Sequence, residues 1–351
     1  MKPTRFAVRP GYEISRVIRG GWQLAGGHGT VDRAAAVADL VACGAAGIDT
    51  FDCADIYSGV EEIMGALRTE YARRHGAAAL AALKVHTKCV PDLDRLATID
   101  RAYLRSIVDR SLRQLRMERL DLVQMHWWDY GVPGYVEAAL WLDEFRRDGK
   151  IELLGATNFD TARTAELVTA GVPLATMQVQ YSLLDARPEH GLAGFCLKHG
   201  IRLLCYGSVA GGFLADRWLG KPEPTPPFTN RSLAKYKLII DDFGGWALFQ
   251  ELLRILREVA DRHDTDIASV ASRSVLGKPV VAAVIVGARD RSHLERNARL
   301  TDFELTAADE VAIAAVLARR KGPDGDAYQH ERDRSGRHGS IMNYNLNAAA
   351  S

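Results

Sequence analysis

The stretch that decides the fold is IDTFDCADIYSGVEEIMGAL, residues 48–67. An apolar run ends at Asp52, Tyr57 follows five residues later, and a helical pattern then begins. A short apolar run that leads into an amphipathic segment is typical of a buried strand followed by a helix. The stretch therefore predicts one βα unit with an acid at the end of its strand and a phenol in the following loop.

The same pattern recurs along most of the chain. The segments between the apolar runs have helical periodicity, and residues 100–117 place their leucine, isoleucine and valine side chains on one helical face. Residues 6–14 predict a small hairpin with its turn at Pro10 and Gly11. The predicted strands after the hairpin are residues 16–21, 47–52, 83–88, 120–126, 151–157, 176–182, 201–207 and 281–287.

Eight successive βα units predict an α/β fold of the (β/α)8 TIM-barrel type, preceded by the N-terminal β-hairpin. The alternative is an open doubly wound sheet. A nucleotide-binding sheet of that kind carries the glycine spacing G-x-G-x-x-G after its first strand. The corresponding segment here, GGWQLAGGHG at residues 20–29, is rich in glycine but lacks that spacing. The pattern favours the barrel.

Two segments interrupt the regular pattern. Residues 207–245 contain GKPEPTPPFTN, with four prolines, and predict a long loop after the seventh barrel strand, at a rim where loops often cover an active site. Residues 322–351 are polar and weakly patterned, which predicts either a strap across the barrel mouth or a disordered C-terminal tail. We expect one domain over residues 1–351, with the barrel core at about 15–320.

Composition restricts the class of partner. Lys plus Arg total 45 and Asp plus Glu total 44, so the net charge of +1 argues against nucleic acid or an anionic membrane as the main partner. The five cysteines form no C-x-x-C pair, which favours a reducing compartment. With no apolar leader and no run of about 20 apolar residues, we expect a cytoplasmic protein.

Polar side chains mark the ends of several predicted strands. In a TIM barrel the carboxyl ends of all strands form one rim, and that rim holds the active site. If the barrel forms, these side chains converge there. The residues concerned are Asp52, Tyr57, Lys88, His126, Thr157, Asn158, Gln178 and Tyr206.

Four of these residues have complementary chemistry. An ammonium beside a phenol favours the phenolate, so Lys88 is expected to lower the pKa of Tyr57 from its usual value of about 10. Asp52 can hold Lys88 charged and in place, and His126 can orient a carbonyl oxygen through a hydrogen bond. Such a set suits proton donation to an oxygen whose carbon receives a hydride.

These motifs, DTFDCADIYSGVEEIMG at 49–65, HTKC at 86–89 and DLVQMHWWD at 121–129, resemble the aldo-keto reductase superfamily. The resemblance covers nearly the whole chain. It implies a (β/α)8 barrel that uses a nicotinamide cofactor without a Rossmann domain. It also implies a catalytic set of Asp52, Tyr57, Lys88 and His126.

The resemblance extends to the cofactor. GATNFD at 155–160 matches a segment of the family in which Thr157 and Asn158 would hold the nicotinamide carboxamide, together with Gln178. Tyr206 would stack on the nicotinamide ring. The other residues expected at the cofactor, apart from those near its adenosine end, are Gly21, Trp22, Asp52, Gly207 and Ser208.

The adenosine end of the cofactor is expected at VIVGARDRSHLERNARL, residues 284–300. Gly287 and Arg289 would meet a 2′-phosphate, since a guanidinium pairs bidentately with phosphate. His293, Arg296 and Asn297 occupy the positions that would contact the adenosine. This segment favours NADP(H) over NAD(H).

The resulting hypothesis is an NAD(P)-dependent oxidoreductase that acts on a small carbonyl, alcohol or sugar substrate, with Tyr57 as general acid and base. Trp22, Tyr57, His126 and Trp127 are the predicted substrate contacts. The alternative is a cofactor-binding regulatory subunit that resembles the potassium-channel β subunits. No metal is expected, because the first strand lacks the His-x-His that a barrel metallohydrolase needs. The oligomeric state stays open.

Overall fold

Eight parallel strands close into a barrel in the computed structural model, which describes residues 2–26, 29–288 and 290–347. The last strand pairs with the first, so the ring has no free edge. The predicted TIM barrel and N-terminal hairpin are confirmed. The hairpin is formed by β1 (Arg5–Arg9) and β2 (Tyr12–Ser15). The barrel strands are β3 (Val17–Gly20), β4 (Thr50–Asp52), β5 (Lys84–Cys89), β6 (Leu120–Met125), β7 (Ile151–Thr157), β8 (Leu174–Gln180), β9 (Arg202–Tyr206) and β10 (Val281–Gly287).

Helices surround the barrel, and several begin at an aspartate whose carboxylate accepts hydrogen bonds from backbone amides of the first turn. Asp32, Asp100 and Asp160 make these caps, which satisfy donors that have no partner within the helix. The helices are α1 (Arg33–Ala45), α2 (Val60–Ala82), α3 (Arg101–Leu115), α4 (Tyr135–Arg147), α5 (Thr161–Thr169), α6 (Leu192–Lys198), α7 (Arg231–Phe243), α8 (Trp246–Arg262), α9 (Ile267–Leu276), α10 (Leu294–Ala298), α11 (Ala307–Leu317) and α12 (Gln329–Arg332).

The hairpin covers the amino end of the barrel. Tyr12 and Ile14 are buried in one apolar cluster with residues of β3, β6 and β9. Arg9 donates hydrogen bonds to the carbonyl of Gly200, just before β9, at 2.7 Å and to that of Leu174, at the start of β8, at 2.9 Å. The opposite rim, where the strands end, is therefore the open one.

The segment after β9 differs from the predicted loop, because residues 231–243 form the helix α7. Asn230 caps it by accepting a hydrogen bond from the amide of Leu233 at 3.0 Å. The prolines lie upstream of this cap, so they do not interrupt the helix. The long loop thus ends in a helix whose buried face includes Tyr236, Ile239 and Phe243.

The described part of the tail crosses the open rim as a strap. The backbone amide of Leu93, in the loop after β5, donates to the carbonyl of Tyr344 at 3.0 Å. The side chain of Asn347 donates to the carbonyl of Val90 at 2.6 Å. The strap alternative is therefore correct for residues 322–347. None of the helices in the described ranges has the length and apolar character needed to span a membrane.

Candidate active site

The ends of β4 and β5 bring an acid, an amine and a phenol together. The Lys88 Nζ lies 2.6 Å from Asp52 Oδ2 and donates to the carbonyl of Cys53 at 2.8 Å. It also lies 5.2 Å from the centroid of the Tyr57 ring. A turn closed by the hydrogen bond from the Tyr57 amide to the carbonyl of Ala54 places the phenol at the start of α2. The structure therefore groups Asp52, Lys88 and Tyr57.

Lys88 and Tyr57 both have shifted pKa values, and the shift of Tyr57 is opposite to the expected one. Burial alone would lower the pKa of Lys88, but the charges of Asp52 and Tyr57 raise it overall. Burial raises the pKa of Tyr57, and the Lys88 ammonium offsets only part of this effect. The net pKa of the phenol is raised, not lowered. At neutral pH the lysine is charged and the phenol carries its proton.

His126 follows β6 and is 2% exposed. Its Nδ1 lies 3.1 Å from the carbonyl oxygen of Thr157, and since that oxygen can only accept, Nδ1 carries the proton. Burial and the charge of Arg332 lower the pKa of the imidazole to about 3, so the ring is neutral. Nε2 is then a lone-pair acceptor, and it is buried without a partner in the described residues. In this state it can hold a hydroxyl, whereas the predicted bond to a carbonyl needs a donor.

A glutamine pair fixes the other oxygen of Asp52. Gln178 donates to Asp52 Oδ1 at 2.7 Å and to Gln124 Oε1 at 3.2 Å, and Gln124 donates to Asp52 Oδ1 at 3.2 Å. The network orients the carboxylate toward Lys88. Gln124 was not among the predicted site residues, although its position inside the buried strand β6 is an unusual place for an amide.

The predicted nicotinamide contacts lie at the ends of β7, β8 and β9. The Tyr206 hydroxyl donates to Asn158 Oδ1 at 2.8 Å, and Thr157 Oγ1 donates to the carbonyl of Gln178 at 3.2 Å. Asn158 has a left-handed backbone (φ 62°), a conformation that asparagine tolerates better than most residues. Ser208, two residues after Tyr206, lies 3.0 Å by its Oγ from the Oγ of Ser272.

Gly207 is required by both conformation and space. Its φ is 75°, and a Cβ atom there would overlap the Tyr236 hydroxyl of α7. We expect Gly207→Ala to lower the free energy of unfolding by about 1–3 kcal/mol, measured by urea denaturation. Gly171→Ala is the matched control, since Gly171 has φ 87° with open space around it. An equal loss in both variants would show that the overlap with Tyr236 costs nothing.

Gly21 and Trp22 directly follow the first barrel strand, β3. The Gly21 amide donates to the carbonyl of Asp52 at 2.7 Å, and a Cβ at this glycine would meet the Val60 side chain at 2.8 Å. The rings of Trp22 and Tyr57 have centroids 5.0 Å apart. Trp22 therefore lies beside the phenol, at the position predicted for a substrate or cofactor contact.

Trp127, a predicted substrate contact, is enclosed by its neighbours. Trp127 is 0% exposed, donates its indole N–H to the carbonyls of Asp129 and Val132 at 3.0 Å, and packs against Tyr135. Trp128 instead meets the ring of His126 edge-on, with centroids 4.3 Å apart. Side chains alternate along an extended chain, so Trp128 lies on the same side as His126 and Trp127 lies on the opposite side.

The segment predicted to meet the adenosine end of the cofactor runs from the end of β10 into α10. Arg289, which was predicted to meet the 2′-phosphate, lies outside the described residues. Arg296 forms an ion pair with Asp266 at 3.0 Å, and burial together with the charge of Arg296 lowers the pKa of His293. Asn297 is largely buried in α10, and Gly287 ends β10 at the open rim.

The rim also holds residues that the sequence did not single out. Tyr328 of the strap meets the ring of His126 edge-on at 5.6 Å. Lys235 of α7 lies 5.3 Å from the ring centroid of Tyr206. Arg332 of the strap donates to the carbonyl of Trp127 and, at 2.7 Å, to that of Asn158. Tyr328 and Arg332 come from the weakly patterned tail, whereas the helical periodicity of residues 236–243 could have located the helix that carries Lys235.

Comparison with known proteins agrees with the geometry. Residues 16–318 match the model of the aldo/keto reductase family. The aldo-keto reductase YhdN of Bacillus subtilis (strain 168) is 27% identical over 317 residues, which cover 88% of this chain and 91% of that protein. The flagellar radial spoke protein 5 of Chlamydomonas reinhardtii is 26% identical over 256 residues, and this match spans 63% of the chain and about half (48%) of that relative.

Among solved structures, a glycerol dehydrogenase from Gluconobacter oxydans superposes with a TM-score of 0.73 at 25% identity, covering 90% of this chain and 95% of that one. The fold, the family match and the relatives named as reductases and dehydrogenases agree with one another. This chain belongs to the aldo/keto reductase family and is an NAD(P)-dependent oxidoreductase.

Proposed function

We propose that the enzyme transfers a hydride between NADP(H) and a small carbonyl, alcohol or sugar substrate, with Tyr57 as the general acid and base. The observation that carries this proposal is the Asp52–Lys88 ion pair at 2.6 Å, with the Lys88 ammonium against the Tyr57 ring.

Tyr57 acts on the substrate oxygen. In reduction its O–H donates the proton that neutralises the developing alkoxide, and the Lys88 ammonium stabilises the phenolate that results. Asp52 keeps Lys88 charged through the whole cycle, because the ion pair raises the pKa of the amine. In oxidation the phenolate takes the alcohol proton, and the lone pair of His126 Nε2 can accept a hydrogen bond from a second hydroxyl of the substrate.

The residues at the ends of β7–β9 fit a nicotinamide. The carboxamide needs paired donors and acceptors, and Thr157, Asn158 and Gln178 offer a hydroxyl and two side-chain amides on adjacent strands. The hydrogen bond between Tyr206 and Asn158 fixes the phenol ring that would stack on the nicotinamide. When bound, this group gives or takes the hydride, and the protein supplies orientation and proton transfer.

The preference for NADP(H) rests on the sequence of residues 287–297, with Arg289 as the residue that would pair with the 2′-phosphate. The regulatory alternative gains no support from the described contacts, since the complete acid–amine–phenol set suits turnover. A single set of measurements tests both points. Fluorescence titration with NADPH and NADH should give the lower dissociation constant for NADPH, and a screen of carbonyls and sugars should then show turnover. Cofactor binding without turnover on any substrate would favour the regulatory role.

The raised pKa of Tyr57 determines the pH dependence of the reaction. The protonated phenol is the active form in reduction, so kcat should stay constant through neutral pH and fall only as pH rises above about 10. Oxidation needs the phenolate and should accelerate over the same interval. Steady-state rates from about pH 6 to pH 11 in both directions check this. A reduction rate that halves near neutral pH would contradict it.

A further inference from the structure

A lysine lies over the open rim between three aromatic rings. Lys235 projects from α7, and its Nζ is 5.3 Å from the ring centroid of Tyr206, 5.6 Å from that of Tyr236 and 5.7 Å from that of Tyr328. Its side chain is 17% exposed. Tyr328 in turn contacts the ring of His126, so the ammonium lies on the side of the rim where the substrate is expected.

The charge of this lysine is only weakly compensated. Its nearest carboxylate is that of Glu331, with 3.9 Å between Nζ and Oε1. Glu331 already accepts two hydrogen bonds from Arg187, at 2.9 and 3.0 Å, and Arg187 also pairs with Asp185 at 2.7 Å. Within the described part of the chain, no acceptor lies at hydrogen-bond distance from Lys235 Nζ. It therefore retains hydrogen-bonding capacity for a ligand.

A second cation lies close to it. Arg332 donates to backbone carbonyls, including those of Trp128 at 2.9 Å and Asn158 at 2.7 Å, and stacks on the ring of Tyr130 at 3.9 Å. Its Nε is buried without an acceptor, and no carboxylate within the described ranges lies at ion-pair distance from it. Its charge adds to that of Lys235 around Tyr328, whose ring centroid is 5.5 Å away.

Lys235 and Arg332 lie together at the rim, no hydrogen bond within the described residues joins either of them to a carboxylate, and the neighbouring His126 is neutral. A charge that is partly removed from water and only weakly paired is costly, and a ligand of opposite charge lowers that cost.

We propose that Lys235 is a specificity-determining residue that binds an anionic group, a carboxylate or phosphate, on the substrate of this enzyme. The inference rests on the proposed function and adds the substrate class: carbonyl compounds that carry a negative charge. A phosphate of the cofactor has the same chemistry. The substrate is the better assignment, because Tyr328 links Lys235 to His126, whereas the predicted phosphate segment follows β10.

The test compares Lys235→Met with Lys237→Met. Lys237 lies on the same helix but is paired with Asp241 and with Glu223, the latter at 2.6 Å, so it is the matched control. The substrates are 4-carboxybenzaldehyde and its neutral methyl ester, and succinic semialdehyde and its methyl ester, with the preferred cofactor saturating. We expect the wild-type protein to favour the charged member of each pair.

In Lys235→Met we expect kcat/KM to fall at least about tenfold for the charged aldehydes and to change less than about twofold for the esters. Lys237→Met should change neither, and Lys235→Arg should retain the preference. A rise in KM of the charged aldehydes with added salt, absent in Lys235→Met, is also expected. Cofactor dissociation constants should be the same in all variants.

Three results would overturn the proposal. An equal loss on aldehydes and esters would assign Lys235 to holding the strap in place. A weaker affinity for NADPH with an unchanged charged-to-neutral ratio would assign it to the cofactor phosphate. If the wild-type protein reduces none of the aldehydes, the proposed function fails for this class. In that case, calorimetric dissociation constants of the same aldehydes still test Lys235. If the charged aldehydes bind the wild-type protein and Lys235→Met with equal affinity, the inference is refuted.

Discussion

Replacing Tyr57 by phenylalanine should lower kcat/KM for carbonyl reduction by about 10²–10⁴-fold, which is the usual contribution of a positioned general acid. The substitution removes one oxygen and keeps the ring that packs beside Trp22 and Lys88. Affinity for the cofactor, measured by nicotinamide fluorescence, should change less than about twofold. The loss therefore falls on the chemical step and not on the assembly of the site.

Tyr71→Phe is the control for this experiment. Tyr71 is a largely buried phenol on α2, the helix that follows Tyr57, and its ring packs against Gly44 of α1, outside the rim. It should leave turnover unchanged. Full activity of Tyr57→Phe on the same substrate would refute the assignment of the phenol as acid. A loss of cofactor binding in that variant would instead indicate a structural role.

Glu331→Gln should lower the free energy of unfolding by about 3–5 kcal/mol at pH 7, since it removes one of the two carboxylates that pair with the buried Arg187 and the one that pairs with Lys235. The side chains of Glu331 and Arg187 are each 1% exposed, and they make two hydrogen bonds with each other. This contact joins the strap to the loop after β8. Urea denaturation followed by circular dichroism measures the change.

The pH dependence of this effect has a definite sign. Burial would raise the pKa of Glu331, but Arg187 and Lys235 outweigh it and lower the pKa to about 2. The unfolded chain titrates near about 4.3, so the carboxylate stabilises the fold above that pH and the contribution is lost as pH falls toward 2. The wild-type protein and Glu331→Gln should thus converge in stability on acidification.

Glu304→Gln provides the comparison for Glu331. Glu304 pairs with Arg273 at 3.0 Å, but its side chain is 87% exposed, and exposed pairs contribute at most about 1 kcal/mol. The same chemical change should cost little there. If the two variants lose equal stability, the buried cluster is not what holds the strap. A loss of activity in Glu331→Gln with unchanged stability would point to the site and not to the fold.

The order of the strands and the position of the acid, amine and phenol were readable from the sequence, because these features are local. A strand end is marked by the change from an apolar run to a polar residue. Because neighbouring parallel strands of a barrel end at the same rim, Asp52 and Lys88 are then expected side by side. Gly207 shows the limit, since a glycine after Tyr206 is visible but the Tyr236 hydroxyl that excludes a side chain comes from the next helix.

The errors share a physical cause. The net pKa of Tyr57 depends on how completely it is buried, which pairwise reasoning about Lys88 does not capture. The burial of Trp127 depends on which way the chain turns after β6. The proton on His126 Nδ1 depends on a backbone carbonyl of the neighbouring strand. Each is decided by atoms distant along the chain.

By itself the sequence determined the barrel, the family and the set of groups able to carry out hydride-linked proton transfer, because alternating apolar periodicity and strand-end chemistry are written in consecutive residues. Only the tertiary structure decided what covers the rim and with which charge. The strap has a weak pattern of its own, and its position follows from contacts such as Glu331 with Arg187 that join residues 144 positions apart. Long-range ion pairs and hydrogen bonds leave no periodic signal in a sequence, so this part of the site could be found only in the folded protein.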